Sequence, residues 1–238
     1  GLILRYGLGS IHVVKGENKN IKITHTEDLF LADKIFQINT VQTDPGIDLG
    51  LLKDKVVVVM GASQGIGAAV AYMARAHEAR VYGFSRSTGV DVADSAAVAA
   101  ALAQVMDKEG RIDHVVATAA VLTFGRLIDR DIESIRQELD INFIGTLNVV
   151  RASLPHLVAS RGSMALFTSS SFTRGRALYS VYSATKAATV NLVQGIAEEM
   201  APQGVRINAI NPERTATPMR SRNFGQEPPE TLLDPETV

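Results

Sequence analysis

The run Val56-Val-Val-Val-Met60, followed at once by Gly61-Ala-Ser-Gln-Gly65-Ile-Gly67, governs the reading of this 238-residue chain. Four β-branched residues and a Met in unbroken succession predict a strand buried on both faces, as in the middle of a parallel sheet. The three glycines directly after it predict a tight turn that opens into a helix over 68–75. Glycines at such a turn let the backbone approach a pyrophosphate, whose charge then sits at the helix N-terminus. A turn kept small for packing is the competing explanation, and the strand and helix on either side favour the ligand.

Working outward, the pattern alternates. Apolar runs predict strands over 81–84, 114–118, 164–168 and 205–210. Helical spacing predicts helices over 95–106, 132–157 and 182–200, the second of them closing at Pro155. Strands alternating with helices of this length define an α/β fold with a doubly wound parallel sheet. Towards the start of the chain, Ile21-Lys-Ile23 reads as a short strand. Thr24-His-Thr-Glu27 has the spacing of a capping box, and Leu29, Leu31, Ala32, Ile35 and Phe36 supply an apolar helix face. Residues 39–53 are turn-rich and aperiodic. The expected organisation is therefore a strand–helix piece over 1–38, a linker over 39–53 and an α/β domain over 54–238, in a chain that begins without Met and reads as a fragment.

Composition narrows the classes of function. The formal net charge of −1 provides no basic field for nucleic acid or an acidic membrane, so neither is an expected partner. Without Cys there are no disulfides, no thiolate nucleophile and no Cys-ligated zinc; no metal is expected. No apolar run reaches spanning length and the first residues lack the layout of a signal peptide, so the expected setting is cytoplasmic.

Chemistry concentrates in Tyr182-Ser-Ala-Thr-Lys186, with Ser169 upstream at the end of a predicted strand. A Tyr hydroxyl protonates a carbonyl efficiently only if its pKa, ordinarily about 10, is drawn towards neutrality. A Lys one helical turn away shares its face and carries the positive charge that does this. Alone, Tyr and Lys at this spacing are more often a solvated pair; with Ser169 and the glycine turn in the same order, hydride transfer is the stronger explanation. At the end of the second strand an enzyme that takes NAD usually carries an acidic residue for the ribose diol. Here the place holds Ser85-Arg86, which removes that charge and offers a cation to a 2′-phosphate, so NADP(H) is the expected cofactor; a surface Arg is the alternative.

Residues 55–238 resemble the short-chain dehydrogenase/reductase family, in the group with the Gly-x-x-x-Gly-x-Gly turn. The resemblance implies a Rossmann-type fold and assigns residues by position. Tyr182 is the acid/base, Lys186 lowers its pKa and binds the nicotinamide ribose, Ser169 polarises the carbonyl, and Asn142 helps keep a water relay to Lys186. It implies cofactor contacts at Gly61, Ser63, Gln64, Gly65, Ile66 and Gly67, at Ser85 and Arg86, at Asp91 and Val92 beside the adenine, and at Ala119, Pro212, Thr215 and Thr217. Three departures stand out. The family's Asn-Asn-Ala-Gly segment reads Ala117-Thr-Ala-Ala120, which weakens a side-chain support of that strand; Glu213 replaces the usual Gly after Asn211-Pro212; and the chain stops before the last strand of the family's sheet.

The stretch Val14 to Ala32, with Asn20-Ile-Lys22-Ile-Thr24 running into Glu27-Asp-Leu29, resembles the C-terminal end of the methylerythritol-phosphate type of cytidylyltransferases; an unrelated extension is the alternative. Joined, the two resemblances are those of the bifunctional ribulose-5-phosphate reductases/CDP-ribitol pyrophosphorylases of capsule synthesis. They imply NADPH-dependent reduction of D-ribulose 5-phosphate to D-ribitol 5-phosphate, with Arg174, Arg176 and Arg214 as candidate ligands of the substrate phosphate. The expected partners are a sugar phosphate and further copies of the chain. A reductase of another ketone or of an acyl thioester, and a non-catalytic assembly module, are the rival functions.

Overall fold

The computed structural model describes residues 5–7, 9, 12, 15, 16, 21–29, 31, 32 and 49–238. The chain divides into two compact units, Gly1–Asp48 and Leu49–Val238. In the first, Ile21–Ile23 has no strand structure: nothing among the described residues forms a ladder with it, and a strand requires a partner for its backbone groups. Helix follows at 26–29 and 31–32, but the capping carboxylate is Asp28, not Glu27. It accepts from the backbone N–H groups of Thr24 at 2.7 Å and His25 at 2.8 Å. Ile35 and Phe36, and the linker as far as Asp48, lie outside the described residues.

In the second unit, strands β1 (Val56–Met60), β2 (Arg80–Phe84), β3 (His114–Ala117), β4 (Ser163–Phe167) and β5 (Arg206–Ile210) form one sheet in the order β2-β1-β3-β4-β5. Every pairing is parallel. The helices are α1 (Gly65–Ala76), α2 (Ser95–Glu109), α3 (Ile132–Leu139), α4 (Gly145–Ser160), α5 (Ser180–Met200) and α6 (Pro218–Phe224). β1 is buried along its whole length because successive side chains point to opposite faces and both faces are covered. Val56, Val58 and Met60 join a large core with Val98 and Leu102 of α2, Val149 and Leu157 of α4 and Val193 of α5. Val57 and Val59 face the other way, against Ala71 and Ala74 of α1.

Helix limits follow local chemistry. Asp94 caps α2 by accepting from Ala96 and Ala97, and Gly110 at φ 68° ends it, so the helix runs on past the predicted limit at 106 to Glu109. Pro155 does not close the third helical region. It lies inside α4, which continues to Ser160, because Leu157 in the following turn is fully buried and its packing outweighs one missing backbone donor. Between α3 and α4 the predicted single helix widens into a π-helical segment, Asp140–Ile144, that contains Asn142. Such widening is frequent at functional sites. Among the described residues no helix is long and apolar enough to cross a membrane.

Candidate active site

The chain passes from β1 outward to β2 and returns to the other side of β1 as β3, so the crevice at the carboxyl ends of β1 and β3 is the place where such sheets take ligands. A cleft of about 510 Å³ opens there, lined from the β1–α1 turn, the ends of β2 to β5, and the first turns of α5 and α6. The turn is built for close approach. Gly61 has φ 98°, and a Cβ on it would stand 2.5 Å from the Ala119 backbone nitrogen. A Cβ on Gly67 would stand 2.3 Å from the Gly61 carbonyl oxygen. Neither position admits a side chain without moving backbone, and the space they leave fits a pyrophosphate against the start of α1.

Every residue expected to contact the cofactor lines this cleft: Gly61, Ser63, Gln64, Gly65, Ile66, Gly67, Ser85, Arg86, Asp91, Val92, Ala119, Pro212, Thr215 and Thr217. Arg86 starts a short turn at the end of β2 whose shape is held by Ser85 and Thr88, the Ser85 N–H donating to the Thr88 hydroxyl at 2.8 Å. Thr217 caps α6 by accepting from Arg220 N–H at 3.2 Å. The segment Ala117-Thr-Ala-Ala120 does not lose its side-chain support. The Thr118 hydroxyl donates to the carbonyls of Met60 at 3.1 Å and Gly61 at 3.3 Å, tying β3 to the glycine turn.

Ser169, Tyr182 and Lys186 meet at the inner end of the cleft. The end of β4 and the second turn of α5 are stitched by reciprocal bonds. Lys186 Nζ donates to the Phe167 carbonyl at 2.9 Å, and the Thr168 hydroxyl donates to the Lys186 carbonyl at 2.9 Å. Ser169, two residues beyond β4, accepts from the Ser171 N–H at 3.3 Å and hydroxyl at 3.2 Å, and lies near enough to the Tyr182 hydroxyl to favour its ionised form. The electrostatics differ from the sequence expectation. Burial pushes the Tyr182 phenol up to about 12, against the lowering effect of the Ser169 contact, and pushes Lys186 down to about 8. Lys186 stands 5.5 Å from the centre of the Tyr182 ring with its ammonium turned to Phe167, and the group that acts to lower the phenol is Ser169 rather than Lys186. The arrangement therefore keeps a proton on Tyr182, the state required of a donor to a carbonyl.

Asn142 is fully buried behind the cleft rather than on its wall. Its side chain accepts from Val121 N–H and donates to the Val121 carbonyl, both at 2.8 Å, which fixes the cleft-lining segment Ala119–Leu122. The three arginines expected to hold phosphate do not line the cleft. Arg174 and Arg176 follow the tight turn Ser170–Phe172 into solvent, and Arg214 belongs to a segment whose backbone pairs with Leu233. Two arginines of α6 line it instead, Arg220 and Arg222. Arg220 is held by Glu227, with Nη2 donating at 2.7 Å, whereas Arg222 has no carboxylate partner among the described residues and its Nε donates to the Pro218 carbonyl at 3.1 Å. Tyr179 and Phe224 also line the cleft and pack edge to face at 5.7 Å, with Phe124 stacked on Tyr179 at 6.0 Å. The sequence reading missed α6 because seven residues beginning with Pro carry too little periodicity to be recognised.

The fold has its counterpart among known proteins. Residues 86–228 match the short chain dehydrogenase family, and the chain belongs to it; it is an oxidoreductase of that family. It is 46% identical over 232 residues to the bifunctional ribulose 5-phosphate reductase/CDP-ribitol pyrophosphorylase Bcs1 of Haemophilus influenzae. That alignment covers 96% of this chain and 49% of the other, so the chain spans about half the length of that relative. Oxidoreductase UcpA of Escherichia coli (strain K12) is 34% identical over 213 residues, 80% of this chain and 79% of its own. A crystal structure of a short chain dehydrogenase from Burkholderia cenocepacia J2315 in complex with NADP superposes with a TM-score of 0.70 at 27% identity, over 78% of this chain and 80% of that one.

Proposed function

We propose that this chain carries the reductase activity of a bifunctional enzyme, the NADPH-dependent reduction of D-ribulose 5-phosphate to D-ribitol 5-phosphate. The observation that carries this reading is the extent of the likeness to the bifunctional relative: 96% of the chain, more than the unit Leu49–Val238 alone makes up, where the likeness to UcpA covers 80%. On the same reading, residues 1–38 are the end of a cytidylyltransferase domain and 39–53 the linker to a reductase over 54–238. The whole protein then makes CDP-ribitol from CTP for capsule polysaccharide in the cytoplasm.

A nicotinamide cofactor held along the glycine turn and the ends of β1 to β5 would supply the hydride to the ketone carbon. Tyr182 donates its proton to the carbonyl oxygen, and Ser169 donates a hydrogen bond to the same oxygen. Lys186 holds the nicotinamide ribose, and Asn142 holds the wall beside it and a water relay to Lys186. Arg86 is the cation for a 2′-phosphate. Arg86→Ala should weaken NADPH binding by ~1.5–3 kcal/mol, the size of a charge-assisted hydrogen bond, and leave NADH nearly unaffected. Steady-state kinetics with both cofactors check this; a preference for NADH in the unaltered enzyme would overturn it.

For the substrate phosphate, Arg222 replaces Arg174, Arg176 and Arg214 as the assigned ligand, because it lines the cleft with no carboxylate partner among the described residues. Arg222→Ala should lower kcat/KM for D-ribulose 5-phosphate about ten- to a hundred-fold, and hardly alter turnover of unphosphorylated D-ribulose. Equal turnover of the two sugars by the unaltered protein would remove the phosphate reading. The aromatic side chains of Phe124, Tyr179 and Phe224 would then favour an apolar ketone.

A further inference from the structure

Behind Tyr182 lies an ion pair that the reaction as described does not use. Glu138, in the last turn of α3, is 0% exposed, and the side chain of Arg130 that binds it is 5% exposed. Arg130 Nη1 donates to the Glu138 carboxylate, while its Nε and Nη2 donate to the Ser134 hydroxyl and carbonyl. The other carboxylate oxygen accepts from the Thr123 backbone N–H at 3.2 Å. Two apolar side chains of similar volume would be as stable or more so, since removing two charges from water costs more than their attraction usually returns. A pair kept at such a place invites a functional explanation.

The contacts lead from Glu138 to the catalytic helix. Thr123, fixed by the carboxylate, is followed by Phe124, which stacks on Tyr179, and by Gly125, whose N–H donates to the Leu178 carbonyl at 2.7 Å. Leu178 has φ 70°, a conformation costly for a bulky residue unless its surroundings hold it there. Two residues later α5 begins, and Tyr179 packs edge to face on Tyr182 at 6.4 Å. Glu138 is also near enough for its charge to act on the Tyr182 phenol.

We propose that Glu138, clamped by Arg130, is a positioning residue of the catalytic site, holding the 123–125 segment against the start of α5 and so fixing Tyr179 and Tyr182 in place. This rests on the assignment of Tyr182 as proton donor but not on the identity of the substrate. The other groups facing Tyr182 are Lys186 and Tyr179 from its own helix region and Ser169 from the end of β4. Arg130 binds one oxygen of the Glu138 carboxylate, and Glu213, Arg220 and Arg222 line the same cleft. Among the charged side chains, Glu138 is the one whose effect on Tyr182 stands out, and it opposes ionisation.

The test compares the full chain with Glu138→Gln and with the double variant Glu138→Leu/Arg130→Met, which removes both charges and leaves none unpaired. Tyrosine labelled with ¹³C at Cζ reports phenol ionisation directly; the chain has five tyrosines, and Tyr182→Phe assigns the signal. Thermal melting verifies that each variant is folded, and the double variant serves if Glu138→Gln is not. The expected result is a Tyr182 titration that begins about 0.5–1 pH unit lower in Glu138→Gln, the size of a single screened charge, and lower by less in the double variant, which also removes the opposing charge of Arg130. The pH profile of alcohol oxidation, which uses the ionised phenol, should move the same way. Superimposable Tyr182 titrations in folded protein would overturn the proposal. Failure to reduce ribulose 5-phosphate would instead count against the substrate reading and leave the titration intact.

Discussion

Tyr182→Phe should lower kcat for ketone reduction by about 10²–10⁴, the contribution of a well-placed general acid, with cofactor binding retained. The substitution keeps the ring and its edge-to-face contact with Tyr179 and removes the hydroxyl alone. The hydroxyl is the group that matters because it is the phenolic proton that lines the cleft; burial pushes its pKa up to about 12, so it stays protonated throughout the neutral range. Ser169 contacts the same oxygen but has an ordinary alcohol proton, far less acidic than a phenol, and cannot take over. Single-turnover measurement of NADPH oxidation, together with a fluorescence titration of NADPH binding, separates the two effects. A Tyr182→Phe enzyme with half its activity would assign the proton to another group.

Lys186→Met should produce opposite changes in activity and stability. The structure places the ammonium in the interior, 4% exposed, with one hydrogen bond to Phe167. Desolvation lowers its pKa from 10.5 to about 8. Below the lower of these values both folded and unfolded chains carry the proton, and the folded state bears the full penalty of a buried charge. Between them the unfolded chain binds more protons than the folded one, so the contribution of Lys186 to stability improves as pH rises through that window. Met has a similar shape and no charge. Near pH 7 the variant should gain about 1–3 kcal/mol, the desolvation penalty less the lost hydrogen bond to Phe167, or about 2–8 °C in Tm. Reduction should fall by about 10²-fold or more, because the cation beside Tyr182 and the proposed cofactor ribose is gone. In the unaltered enzyme the loss of that charge should appear as a fall in kcat/KM near pH 8, with the charged form active below it. A Lys186→Met protein that is less stable across the neutral range would show that the ammonium is not desolvated as described.

The five strands of the sheet were legible, unlike the expected strand at Ile21–Ile23, because β1 is a run of β-branched residues buried on both faces, and alternation with helices leaves a parallel sheet as the economical arrangement. The glycine turn and the Tyr, Lys and Ser positions were legible because short-range geometry creates them: a strand end, a positive φ, one helical turn. Ends of elements were less so. Pro155 sits within α4 because burial of Leu157 outweighs a local breaker, and Asp28 replaces Glu27 at a cap because two backbone donors converge on it.

What sequence could not supply depends on distance through space. The Arg130–Glu138 pair joins residues eight apart around a helix start and reaches Thr123, a neighbour that only the folded chain brings near. A buried charge at an apolar-face spacing from Ile135 was the available signal. The move of the assigned phosphate cation from Arg174, Arg176 and Arg214 to Arg222 has the same origin, since which arginine faces the cleft is settled by the path of two loops. Most of all, the direction of the Tyr182 shift required the structure. Residue spacing places a cation one turn from a phenol, but the sign of the result depends on desolvation against attraction, and desolvation is a property of everything packed around the two groups.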